Sequence, residues 1–150
     1  MRYLAIDYGT KHTGLAICDK AETIASPLAV IEGPRKLLEK IAALVETEAV
    51  EAIVLGLPLN MDDSVGHQAK LVFQFAEQLK KLVDVPIHFQ DERLTSFGAE
   101  QRSSYVEFTR RNTRFTKKKR NGISKKKKRH LDAVAAAEIL QAFLEQKNAR

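Results

Sequence analysis

Carboxylates stand at three places where packing alone would not choose an acid. Asp7 ends the apolar run "YLAI", Asp91 and Glu92 close "VPIHFQ", and Asp132 leads "LDAVAAAEIL". Each alone has a bland reading. Asp7 could be a turn-forming residue of a hairpin, Asp132 could stabilise the positive end of a helix dipole, and the pair at 91 and 92 could be a solvated strand end. Strand period two sends Asp91 and Glu92 to opposite faces, so at most one of them points where Asp7 points. Brought together, such carboxylates repel one another and need a counter-charge. Mg²⁺ or Mn²⁺, hard ions that prefer oxygen ligands, supply it. Two such ions about 4 Å apart activate a water and stabilise the leaving oxygen of a phosphodiester.

The segment in front of Asp132 points to the same class of substrate. Between Arg110 and Arg129 the chain carries twelve Lys and Arg and no acid, which leaves thirteen bases against nineteen acids in the remainder. A mildly acidic body bearing one intensely basic segment has the charge distribution of a polyanion binder. Lys117, Lys118, Lys119, Arg120, Lys125, Lys126, Lys127, Lys128 and Arg129 are the candidate phosphate contacts there, joined by Arg93 beside the second acidic pair and Lys11 in "DYGTKHTG". Long like-charge blocks also occur as solvated loops, and this one is expected to be flexible over about 110–130 without a partner.

The elements that would position these groups follow from periodicity. "YLAIDYG" and "GLAICD" read as an antiparallel hairpin across the short link 10–13, with Gly9 and Gly14 supplying permissive backbone. "ASPLAVIE" is a third strand, with Pro27 tolerated near its start. Helical spacing of Leu37, Leu38, Ile41, Leu44 and Val45 predicts a helix over 35–48. "VEAIVLGLP" is the continuous apolar run of a strand buried on both faces. A helix over 64–83 follows, with Leu71, Val72, Phe75, Leu79 and Leu82 on one side, then the strand "VPIHFQDE". A further helix is expected near Phe97, capped by Thr95 or Ser96, and a last one over about 131–146. On that last helix Asp132 shares a stripe with Ala136, Ile139, Leu140 and Phe143. The whole is an α/β domain: a mixed five-stranded sheet, antiparallel hairpin strands first and parallel strands after, with helices packed on it.

At 150 residues the chain suits one domain, 1–150, and is too short for two. No run approaches the roughly 18 apolar residues of a membrane span, and "MRYLAIDYG" lacks the features of a signal peptide, so a cytoplasmic location is expected. A single cysteine, Cys18, excludes a disulfide framework and a cysteine-rich zinc site. It lies within the apolar "GLAIC", which argues against a thiol nucleophile. "GLPLNMDDS" after the central strand reads equally as a structural turn or a substrate contact.

In order and spacing, "IDYGTKHTGLA", "VLGLPLNMDDS", "QDERLTS" and "LDAVAAAEIL" resemble the four motifs of the YqgF family, across nearly the whole chain. The family comprises ribonuclease H-like proteins described as Holliday junction resolvases, or as nucleases that mature the 5′ end of pre-16S rRNA. The last two motifs are the specific ones; the first is shared with sugar kinases and actin-like ATPases. The resemblance implies a metal-dependent endonuclease whose acidic triad falls on Asp7, Glu92 and Asp132, and so chooses Glu92 over Asp91. It implies nucleic acid as partner, either structured RNA such as pre-16S rRNA or branched DNA, possible work on ribosomal particles, and a monomer or homodimer. A non-catalytic RNA-binding assembly factor is the rival reading, and a small ATP-dependent phosphotransferase is disfavoured because no second nucleotide-binding lobe is present. The chain departs from the family at His12, where arginine is common, at Asp62 and Asp63, where the motif usually reads "MDG", and in its longer lysine-rich insert.

Overall fold

The structure, a computed structural model, describes residues 1–60, 62, 64–92 and 125–149, and the side chains of 125–130 fall outside it. Arg93, Lys117, Lys118, Lys119, Arg120, Asp63 and the helix expected near Phe97 therefore lie outside the described residues, and Lys125 to Arg129 are placed by backbone alone. The elements run β1 (Tyr3–Asp7), β2 (His12–Cys18), β3 (Ala25–Glu32), α1 (Leu37–Thr47), β4 (Ala52–Leu57), α2 (His67–Lys80), β5 (Ile87–Asp91) and α3 (Lys125–Asn148).

Among the described residues the sheet has five strands in the order β3-β2-β1-β4-β5. β1 pairs antiparallel with β2, and β2 antiparallel with β3. β4 pairs parallel with both β1 and β5. This is the mixed sheet expected from sequence. Pro27 sits on the edge strand β3, where its missing N–H costs no ladder bond. β4 lies between two partners and under helices on both faces, so all six of its residues are buried.

Period two divides the core. Leu4 and Ile6 of β1, Leu15 and Ile17 of β2, and Ile53, Leu55 and Leu57 of β4 face α1 and α2, meeting Leu37, Ile41, Val45, Val72, Phe75 and Leu79. Tyr3 and Ala5, Ala16 and Cys18, and Ala52 and Val54 face the other way, toward Ala136, Ala137, Ile139, Leu140 and Leu144 of α3. On that second face the alanines Ala5, Ala16 and Ala52 of the sheet and Ala136 and Ala137 of the helix leave room for α3 to lie close to the sheet.

Two helices depart from their expected limits. α2 stops at Lys80, and Leu82 is 49% exposed in the turn beyond it rather than on the packed stripe. α3 starts at Lys125, well ahead of the expected start near Leu131. Apolar periodicity begins only at Leu131, but lysine and arginine are themselves good helix formers, so the backbone coils ahead of the stripe. Among the described residues no helix is long and apolar enough to cross a membrane.

Candidate active site

Asp7 is the last residue of β1, at the carboxyl end of the strand. By alternation from Tyr3 and Ala5 its side chain belongs to the α3 face. The next residue, Tyr8, points to the opposite face and stacks on Phe75 of α2, ring centroids 4.4 Å apart. That anchor fixes the strand end on which Asp7 sits. The hairpin beyond is tight: Thr13 is fully buried and its hydroxyl donates to the Gly9 carbonyl at 3.3 Å.

Both strand neighbours of Asp7 on this face are glycines. Its partner on β2 is Gly14. One step past the Ile6–Leu55 pair, its neighbour on β4 is Gly56, which in turn pairs with Gln90 of β5. A row Gly14–Asp7–Gly56–Gln90 thus crosses the sheet beneath the start of α3. The gaps left by the two glycines are filled by the other two acids. A Cβ on Gly14 would collide with the main-chain carbonyl of Asp132, whose carbon would stand 2.5 Å away. A Cβ on Gly56 would stand 2.7 Å from Glu92 Oε1 and 2.6 Å from Ile139 Cδ1. Asp132 therefore lies over one glycine, the Glu92 carboxylate over the other, and Asp7 between them. Asp91 pairs with Leu57, whose side chain faces α1 and α2, so it is Glu92 that shares the face of Asp7.

Asp132 Oδ2 is buried and has no hydrogen-bond partner. A carboxylate oxygen withdrawn from water without a donor is costly unless a cation meets it. Asp7, Asp91 and Glu92 each make further interactions. Among the described residues no group of three or more His, Cys, Asp or Glu side chains is already arranged to hold a metal ion. The donor set nevertheless fits a hard divalent cation: the atoms are carboxylate oxygens, and one of them is buried unpaired. The three acids stand at one end of the sheet.

The sequence at the amino end of α3 is cationic. The first turns of α3 carry no acid, the five residues from Lys125 to Arg129 are all cationic, and the amide end of the helix dipole has the same sign. Lys11 is exposed in the β1–β2 connection at this end, and its carbonyl accepts from the Gly33 N–H at 2.7 Å. Asp62 Oδ1 accepts from the Ser64 N–H at 3.1 Å and its hydroxyl at 2.6 Å, and Asn60 Nδ2 donates to Ser64 Oγ at 2.9 Å.

Sequence reasoning gave Gly14 the wrong task. Its φ is not in the left-handed region, and what it supplies is room for the backbone of Asp132. Gly56 and Gln90 were not singled out. A lone glycine inside an apolar central strand signals a close approach and could have found Gly56. Gln90 is 4% exposed and its Nε2 has no partner, which only coordinates reveal.

A hairpin-led mixed sheet of five strands with helices packed on it is the ribonuclease H-like fold of RuvC-type resolvases. T. thermophilus RuvC in complex with Holliday junction substrate superposes with a TM-score of 0.58 at 14% identity, covering 98% of this chain and 96% of its own. The fowlpox virus resolvase bound to Holliday junction DNA gives 0.56 at 14% identity, covering 98% and 99%. The family model described as "RuvX: Holliday junction resolvase" matches residues 1–146, and the chain belongs to that family of phosphodiester-hydrolysing enzymes. Among its relatives, a protein of Roseiflexus sp. (strain RS-1) named "Putative pre-16S rRNA nuclease" is 37% identical over 146 residues, 96% of this chain and 94% of its own. One of the same name from Anaeromyxobacter sp. (strain Fw109-5) is 38% identical over 151 residues, 99% and 100% of the two chains.

Proposed function

We propose that this chain is a divalent-metal-dependent endonuclease that processes the 5′ end of pre-16S rRNA in the cytoplasm. The observation that carries the reading is the cross-sheet row: Asp7 between two glycines, with Asp132 above one and the Glu92 carboxylate above the other. Asp7, Glu92 and Asp132 are the ligands of Mg²⁺ or Mn²⁺, which when bound supplies Lewis acidity and neutralises charge at the scissile phosphate. Lys11, Arg93 and the cations of 117–129 contact phosphates of the substrate. Full-length relatives named for pre-16S rRNA favour RNA as substrate. A four-way DNA junction is the second reading, favoured by the substrates of the structural neighbours.

The test sets wild type beside Asp7→Asn on pre-16S rRNA and on a four-way junction, each with and without Mn²⁺. Metal-dependent cleavage of the rRNA, lost by roughly a hundredfold or more in the variant, is expected, since each 1.36 kcal/mol of barrier is about tenfold. Undiminished cleavage by Asp7→Asn would remove the site assignment. Salt-sensitive RNA binding without any turnover in the wild type would turn the reading to a non-catalytic assembly factor.

A further inference from the structure

Gln90 is the most completely buried polar side chain at this end of the sheet after Thr13, and unlike Thr13 it is left wanting. It is 4% exposed, and its Nε2 has no hydrogen-bond partner. Native interiors rarely leave an amide donor unpaired, because such a group forfeits its water without compensation. An apolar residue of the same shape would pack there at no such cost. The position is not incidental. Gln90 pairs with Gly56 in the β4–β5 ladder, and it is the glycine over which Glu92 lays its carboxylate.

Glu92 lies one residue past the end of β5, beyond the ladder that holds Gln90. Two carboxylates brought onto one cation must be held at defined angles, and a ligand's free oxygen commonly receives a hydrogen bond from a neighbouring group that orients it. Gln90 is two residues back on the same face, rigid in the sheet, with a donor to spare.

Building on the metal-site reading above, we infer that Gln90 is a positioning residue for Glu92: its Nε2–H bonds to the Glu92 carboxylate when that side chain turns onto a divalent cation. That bond would satisfy the donor that otherwise stands unpaired, a gain tied to the cation-bound arrangement of Glu92 and so one that favours the cation.

The consequence is a pair of effects of opposite sign. Gln90→Met and Gln90→Leu remove the donor while keeping an apolar side chain of similar size. Mn²⁺ affinity of the full chain, read from the electron paramagnetic resonance signal of free Mn²⁺ during titration, is expected to weaken about tenfold in both variants. The melting temperature of the same variants without metal is expected to hold or rise by a few degrees, because a buried unpaired donor has gone. A residue that merely supported the fold would lower the melting temperature. Mn²⁺ affinity within twofold of wild type in both variants, or a loss of affinity accompanied by a fall in melting temperature, overturns the inference. A wild-type protein that binds no Mn²⁺ overturns the metal-site reading as well, so the two failures are told apart by the wild-type titration.

Discussion

The two ends of α3 are built on opposite terms. At its carboxyl end nearly every polar group is paired. Gln141 accepts from the Ala25 N–H at 3.0 Å and donates to the Thr23 carbonyl at 3.2 Å. Lys147 reaches the Glu22 carboxylate, and Asn148 Nδ2 donates to the Glu22 carbonyl at 3.0 Å. The Phe143 ring tilts against Tyr3 at 5.2 Å, with the Lys147 ammonium 5.8 Å from the Tyr3 centroid. These contacts hold Glu22 in a left-handed conformation, φ 59°, that a residue with a Cβ seldom adopts. At the amino end, where Thr13 is paired, three buried polar atoms among the described residues are left open: Asp132 Oδ2, Gln90 Nε2 and His12 Nδ1 have no partners. The far end has one such atom near it, Arg2 Nε, on a guanidinium whose Nη2 meets Glu48 at 2.8 Å. Among the described residues, one end fastens the helix and the other keeps unsatisfied groups of the kind that mark ligand sites.

The largest break in this contrast is expected at Gly14. Its missing Cβ is what allows the main chain of Asp132 to rest on β2, and main chain cannot swing aside as a side chain can. Gly14→Ala must lift the amino end of α3 while the fastened end stays put. Overpacking of this kind costs on the order of 1–3 kcal/mol and here should lie at the upper end, seen in chemical denaturation. Cleavage should fall with it. Wild-type stability in this variant would mean that the helix is free to slide and that its depth is set elsewhere.

Gly56 sharpens the comparison, because there the obstacles are side-chain tips. Ile139 Cδ1 can change rotamer and Glu92 can turn away. Gly56→Ala should therefore cost less stability, about 1 kcal/mol, yet cleavage should drop by roughly a hundredfold because the carboxylate has been displaced. A variant that keeps both activity and Mn²⁺ affinity would show that Glu92 does not work from above Gly56.

The two glycines also mark where the sequence was readable. Alternation and helical spacing located every described element, since a half-buried strand or helix must display its apolar stripe. The split between Asp91 and Glu92 was not readable from periodicity alone, which separates their faces but cannot say which face α3 will cover. Close approaches were harder still. Gly14 looks like a hairpin glycine because it follows a turn, and only the helix lying on it reveals its use. Gln90 sits in an alternating strand as any half-exposed polar residue would. Its burial depends on what lies over β5, and no local pattern carries that information.

The smallest effect belongs to the loop that precedes β3, and its direction follows from one carboxylate. Asp19 accepts from the Thr23 N–H at 2.8 Å, the Ile24 N–H at 2.9 Å and the Thr23 hydroxyl at 2.6 Å. The Ile24 N–H, then the Thr23 hydroxyl and N–H, lower its pKa from 3.8 to about 2. A folded pKa below the unfolded one means that the ionised form is favoured by folding, so the contribution is complete above about pH 4 and vanishes as pH falls to about 2. Glu22, lowered chiefly by its hydrogen bond from Lys147, shifts in the same direction. Asp19→Asn should therefore melt slightly below wild type at neutral pH, and the two melting curves should converge as pH approaches 2. The side chain is exposed, so the gap will be modest. Curves that stay parallel down to pH 2 would show that the charge of Asp19 is not what holds this loop, leaving the contacts of Gln141, Phe143, Lys147 and Asn148 to fasten the carboxyl end of α3.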